Sequence, residues 1–121
     1  MKTKMRPLKQ LVSILTCIVL VFSVIPMATF AAESGTTGTL SYTLDDNGVL
    51  TISGSGAIAA MAFRNRNDIT SVIISNGVTS IGNYAFYSCS SLEKVTVLGE
   101  IEAIGNYAFA NCISLTTFEY W

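Results

Sequence analysis

Ile81-Gly82-Asn83-Tyr84-Ala85-Phe86 returns unchanged as Ile104-Gly105-Asn106-Tyr107-Ala108-Phe109, an offset of 23 residues. The residues around it keep the same register. Cys89 returns as Cys112, Ser91 as Ser114, Leu92 as Leu115 and Val72 as Val95. A verbatim match with in-register followers marks a repeat architecture, whose units bury a core only by stacking. Run backwards, the offset places Ile58, Ala62 and Phe63 before Ile81, Ala85 and Phe86. Residues 46–68 thus read as a degenerate first repeat, 69–91 and 92–114 as full repeats, and 115–121 as a partial one. In the first, Gly82, Tyr84 and Cys89 are replaced by Ala59, Met61 and Arg66. An end coil has no neighbour on one side, so degeneracy there is expected.

Each unit has a simple physical reading. Val72 with Ile74, Val95 with Val97, and Phe118 with Tyr120 alternate as strands buried on one face do. A turn with Gly77 or Gly99 follows, then Ile81 or Ile104. Ile81 and Ala85 are spaced to share one face of a single helical turn. Gly82 and Gly105 suit an entry too tight for a side chain. The core is therefore expected at Ile81, Ala85, Phe86, Cys89 and Leu92, and again at Ile104, Ala108, Phe109, Cys112 and Leu115. The strands stack into a parallel sheet.

Ahead of the repeats, Leu40-Ser41-Tyr42-Thr43-Leu44 alternates, Asp45-Asp46-Asn47-Gly48 turns, and Val49-Leu50-Thr51-Ile52 answers. Asn-Gly between alternating runs predicts a β-hairpin. It is expected over 39–53, capping the stack. The whole repeat domain spans 39–121. Residues 33–38, polar and Gly/Thr-rich, read as a flexible linker.

The chain has 121 residues, half hydrophobic, 12% charged, without histidine. The apolar excess divides at Ala32: 20 of the first 32 residues are apolar, against 46% of the rest. Lys2, Lys4, Arg6 and Lys9 precede an apolar run from Leu11 to Ile25, ended by Pro26. Residues 1–32 read as a secretory signal peptide, cleaved near Ala31 or Ala32. The run of 15 residues is short for a membrane span, which takes about 20. The membrane is thus expected to matter only during export. Cys17 lies inside the apolar run after Thr16, which does not fit a lipoprotein signal.

The unit L-x-x-V-x-V…I-G-N-Y-A-F-x-x-C-x-S-L, at Ile81–Cys89 and Ile104–Cys112, resembles the BspA-like class of bacterial leucine-rich repeats. The leading L-D-D-N-G-V-L-T-I-S-G resembles the segment often found before them. The resemblance covers nearly all of 40–121. It departs from the family pattern at Ser75 and Leu98, where a proline is usual, which bears on turn geometry. It implies a repeat solenoid, α/β leaning to β: a leucine-rich repeat with short parallel strands and an N-terminal β-hairpin cap. Members are secreted or surface-exposed, and some are adhesins, so the resemblance implies non-catalytic protein binding or adhesion. The partner implied is an extracellular protein or glycan.

Gly54-Ser55-Gly56-Ala57-Ile58-Ala59 has the glycine spacing of a dinucleotide loop, but no acid ends the next strand. No cofactor is expected. Cys89 and Cys112 read as stacked free thiols filling the core, with a disulfide as the alternative. Two cysteines without histidine do not make a zinc site. Glu93, Glu100 and Glu102 lack calcium-loop spacing and read as a solvated edge. Asp45 and Asp46 serve the turn. Tyr84, Tyr87 and Tyr107 are expected to cover the core edge. Beyond Ala32 the formal charge is −5, with eight acids against Arg64, Arg66 and Lys94, which argues against nucleic acid. Without histidine and with few acids, no nucleophile–base pair assembles, so no enzyme is expected.

Alternation leaves Ser71, Ile73, Ser75, Lys94, Thr96, Leu98, Thr117, Glu119 and Trp121 pointing outward. Ile73, Lys94, Thr96, Leu98, Glu119 and Trp121 are the candidate ligand-binding residues, although Trp121 also suits packing onto a further repeat. The expected function is a binding or adhesion module, the N-terminal part of a longer protein. The alternative is a spacer that displays another domain.

Overall fold

The computed structural model describes residues 33–121. The signal-peptide reading of 1–32 lies outside the described residues. Nine strands follow one another: β1 (Glu33–Thr37), β2 (Leu40–Leu44), β3 (Val49–Gly54), β4 (Gly56–Ile58), β5 (Ser71–Ile74), β6 (Val78–Ile81), β7 (Lys94–Val97), β8 (Ala103–Ile104) and β9 (Thr117–Tyr120). They form two sheets, one of six strands ordered β1-β2-β3-β5-β7-β9 and one of three ordered β4-β6-β8. From β3 onward the large sheet is parallel, with Val72 beside Val95 and Val95 beside Phe118. The 23-residue offset is thus the register of the sheet, and the fold is the repeat solenoid implied by the sequence.

Each coil carries one strand in each sheet and closes through a third side made of turns. No helix occurs among the described residues. The helical turn expected at Ile81–Ala85 is replaced by turns broken at Tyr84 (φ 59°) and Ser88 (φ 58°). Their equivalents Met61, Asn65, Tyr107 and Asn111 share this left-handed backbone. Such residues cost roughly 1–2 kcal/mol each. The return comes from the next coil. Tyr84, Phe86 and Ser88 N–H donate to Asn106, Ala108 and Ala110 O at 3.0, 2.8 and 2.8 Å. Met61, Phe63 and Asn65 N–H likewise donate to Asn83, Ala85 and Tyr87 O. An α-helix would turn those donors inward along its own axis. The turn side is therefore a further ladder joining coils.

Close coil spacing explains the glycines. A Cβ at Gly82 would lie 2.6 Å from Ala60 N, and one at Gly105 2.5 Å from Asn83 N. Ala59, their counterpart in the first coil, has no coil beneath it. Its N–H meets the buried Thr37 hydroxyl at 3.0 Å instead.

The cap is larger than a hairpin. Residues 33–37, expected within a flexible linker, form strand β1, paired antiparallel with β2 from Glu33–Leu44 to Thr37–Leu40. Two tertiary contacts hold it: Thr37 in the core edge, and Glu33 paired with Arg66 at 2.8 Å. Phe63, Phe86 and Phe109 stack through the interior at 5.3 and 5.1 Å between ring centroids, and Tyr42 closes the stack edge-on against Phe63.

The core residues of the second repeat are buried, but in the third only Ala108 is. Ile81 is 2% exposed and Ile104 50%, although the five residues that follow each are identical. Ile104 thus departs from its expected core role because no coil lies over it here. Phe118 and Tyr120 are exposed for the same reason. Phe109, Cys112 and Leu115 are partly buried against the core.

Candidate binding surface

The outer face of the six-stranded sheet collects the residues that alternation points outward. Val72, Ile74, Val95 and Val97 are buried beneath, so Ile73, Lys94 and Thr96 between them face solvent. Register aligns Ile73 with Thr96 and Thr96 with Glu119 in one row. A second row runs Ser71, Lys94, Thr117. Leu98 and Trp121 follow their strands and are 44% and 77% exposed. Four of the six candidate residues therefore lie on the three neighbouring strands β5, β7 and β9, and Leu98 and Trp121 come just after two of them.

Sequence reasoning missed how far this face extends. The Ile73 row continues through Thr51, Thr43 and Ser34 on β3, β2 and β1. Thr51 between Leu50 and Ile52 carried the alternation that marks it. Ser34 carried no such mark, because its segment gains its strand only by pairing.

Charge on the face is balanced locally. Lys94 Nζ pairs with Glu119 Oε1 at 3.1 Å. The other cations among the described residues are engaged elsewhere. Arg66 binds Asp68 through Nε and Nη2 at 3.0 and 2.9 Å, as well as Glu33. The hydrogen bond from Arg66 holds the Asp68 carboxyl below its usual range, and Asp68 in turn raises the guanidinium. Arg64 lies over the Tyr87 ring, 5.6 Å from its centroid.

The remaining candidates resolve into structure. Cys89 and Cys112 are free thiols. Each donates to a carbonyl of the preceding coil, Cys89 to Phe63 O and Cys112 to Phe86 O, both at 3.1 Å. Burial pushes the Cys89 thiol up to about 11 and raises Cys112 as well. Arg66 occupies the same position in the first coil and reaches Glu33 on β1 instead. The glycine motif at 54–59 runs from β3 directly into β4, so it opens no helix for a phosphate. Tyr84 and Tyr107 stack at 5.2 Å on the turn side, with Tyr87 edge-on to Tyr84. Among the described residues no cavity opens.

Residues 53–121 match a BspA type leucine-rich repeat region of six copies. The chain is similar to the crystal structure of a leucine-rich repeat protein from Eubacterium ventriosum, with 36% identity and a TM-score of 0.67. That match covers 74% of this chain and 26% of the other. It is also similar to a leucine rich cell surface protein from Faecalibacterium prausnitzii, with 28% identity and a TM-score of 0.50 over 70% of this chain and 30% of that one. The chain thus spans less than a third of either solved structure. No curated protein matches it.

Proposed function

Since the chain belongs to the BspA-type leucine-rich repeat family, we propose that it is an exported, non-catalytic binding module that adheres through the outer face of its six-stranded sheet. The observation that carries this is the face itself. Ile73, Leu98 and Trp121 leave apolar surface beside the Lys94–Glu119 pair, where the fold needs none of them for its core. An apolar centre with a charged, hydrogen-bonding surround suits recognition of another macromolecule. The partner is an extracellular protein or glycan.

Export is supported by the leader at 1–32 and by the cell-surface protein to which the chain is similar. Its short span relative to both solved structures supports a place within a longer protein. The cap of β1 and β2 closes one end of the stack, as a first segment would.

The test is binding of the purified chain to a panel of extracellular matrix proteins and glycans. Ile73→Asp and Lys94→Glu are expected to weaken the interaction at least tenfold, roughly the 1.4 kcal/mol of one anchor residue. Wild-type binding to none of the panel would favour a spacer role. Hydrolytic turnover of a panel member would sink both readings.

A further inference from the structure

Two Asn-Gly pairs occur in the chain, and the fold treats them differently. Asn47-Gly48, in the turn between β2 and β3, is pinned on every side. Gly48 N–H donates to Asp45 O at 3.1 Å, and Asn47 N–H to Asp45 Oδ1 at 2.8 Å. The Thr70 hydroxyl donates to Asn47 O at 2.9 Å. Thr70 and Ser71 N–H converge on Gly48 O at 2.8 and 3.2 Å.

Asn76-Gly77, in the turn between β5 and β6, is held only at its edges. Gly77 O accepts from Gly56 N–H at 3.1 Å, and Val78 N–H reaches Ser75 O at 3.3 Å. Among the described residues Gly77 N–H donates to no group, and the exposed Asn76 carboxamide has no hydrogen-bond partner. That carboxamide rests over Gly99, where a Cβ would fall 2.7 Å from Asn76 Oδ1.

We propose that Asn76 is a site of spontaneous deamidation and that Asn47 is spared. The nucleophile is the backbone nitrogen of Gly77, which bears no side chain to obstruct its approach to Asn76 Cγ. The N–Cγ bond forms as the amide proton passes to solvent base. The Cγ–NH2 bond breaks, and the amino group takes a proton and leaves as ammonia. Water then opens the cyclic imide at either carbonyl. One opening gives aspartate; the other gives isoaspartate, which carries the chain through an added methylene. The step consumes water and releases ammonia, with no oxidation or reduction. At Gly48 the same attack must first break the bond to Asp45 O and distort the frame around it.

The product matters to the stack. A carboxylate at 76 adds charge to a coil corner whose neighbour carries Glu100, in a part of the chain already at −5. Isoaspartate lengthens the short link between β5 and β6, strands held in register by coils on both sides. Deamidation therefore loosens a middle coil.

The test is incubation of the intact chain at mildly alkaline pH in heavy-oxygen water, followed by trypsin and mass spectrometry. Arg64, Arg66 and Lys94 place the two pairs in different tryptic peptides. Label is expected at Asn76 several-fold faster than at Asn47 in the folded chain, and at similar rates once urea unfolds it. Asn76→Gln removes the label from that position and leaves Asn47 unchanged. Equal or faster labelling of Asn47 in the folded chain overturns the proposal. So does an unlabelled Asn76 after the time in which the unfolded chain is fully labelled.

Discussion

Cys89 sits where three demands meet. Its side chain fills the space beside Phe63 and Phe86, its thiol satisfies a carbonyl of the coil below, and its environment excludes charge. The thiolate form is penalised by burial, so the neutral thiol belongs to the folded state. A group whose folded pKa is raised stabilises the fold below its unfolded pKa and loses that contribution as pH climbs to the folded value. For Cys89 the window runs from 9.0 to about 11. Urea midpoints measured across this window should fall more steeply for the native chain than for Cys89→Ala. Identical slopes would mean that the thiol is not held neutral. The two cysteines were legible as core fillers because they recur with the apolar residues around them. Their hydrogen bonds to carbonyls were not legible, since those depend on the left-handed residues at 61, 65, 84 and 88. Met, Asn, Tyr and Ser carry no common sequence mark for that backbone.

Strand β1 shows what a segment's own residues leave undetermined. Glu33-Ser34-Gly35-Thr36-Thr37 has no apolar alternation, and polar Gly/Thr stretches usually stay flexible. It becomes a strand because β2 offers an edge and because Arg66 and Ala59 supply tertiary partners. The hairpin from Leu40 to Ile52, by contrast, was legible from alternation and turn chemistry alone. So were β5 and β7. The strands β4, β6 and β8 were hidden, since Gly56–Ile58 and Ala103–Ile104 are too short to show a period and Val78–Ile81, with Thr79 beside Ser80, does not alternate. Arg66→Ala should leave the repeats folded and release β1. Amide exchange at Ser34–Thr37 is expected to quicken, with a loss in global stability of about 1 kcal/mol or less, because the ion pairs are substantially exposed. The effect should shrink as salt is added. Unchanged exchange in β1 would show that strand pairing alone holds it.

Across the whole molecule, stability grows by stacking, so burial depends on position in the stack as well as on sequence. Ile81 and Ile104 make the point, with the same five residues after them and opposite exposure. Appending one further copy of residues 99–121, which continues the register after Trp121, should bury Ile104, Phe118 and Tyr120. Re-covering half of an isoleucine alone contributes roughly 1 kcal/mol, so the urea midpoint is expected to rise. An unchanged midpoint would mean that the added coil does not dock. The proposed binding face depends on the same stacking. A slip of one residue would turn Ile73, Thr96 and Glu119 inward and their neighbours outward. Register is therefore the claim on which both fold and site rest. The most direct measurement is bridging of paired cysteines by a short bifunctional thiol reagent under native conditions. Ile73→Cys with Thr96→Cys should bridge rapidly, whereas Ile73→Cys with Val95→Cys should not, because Val95 faces the core. The reverse pattern would contradict the 23-residue register and remove the outer face as described.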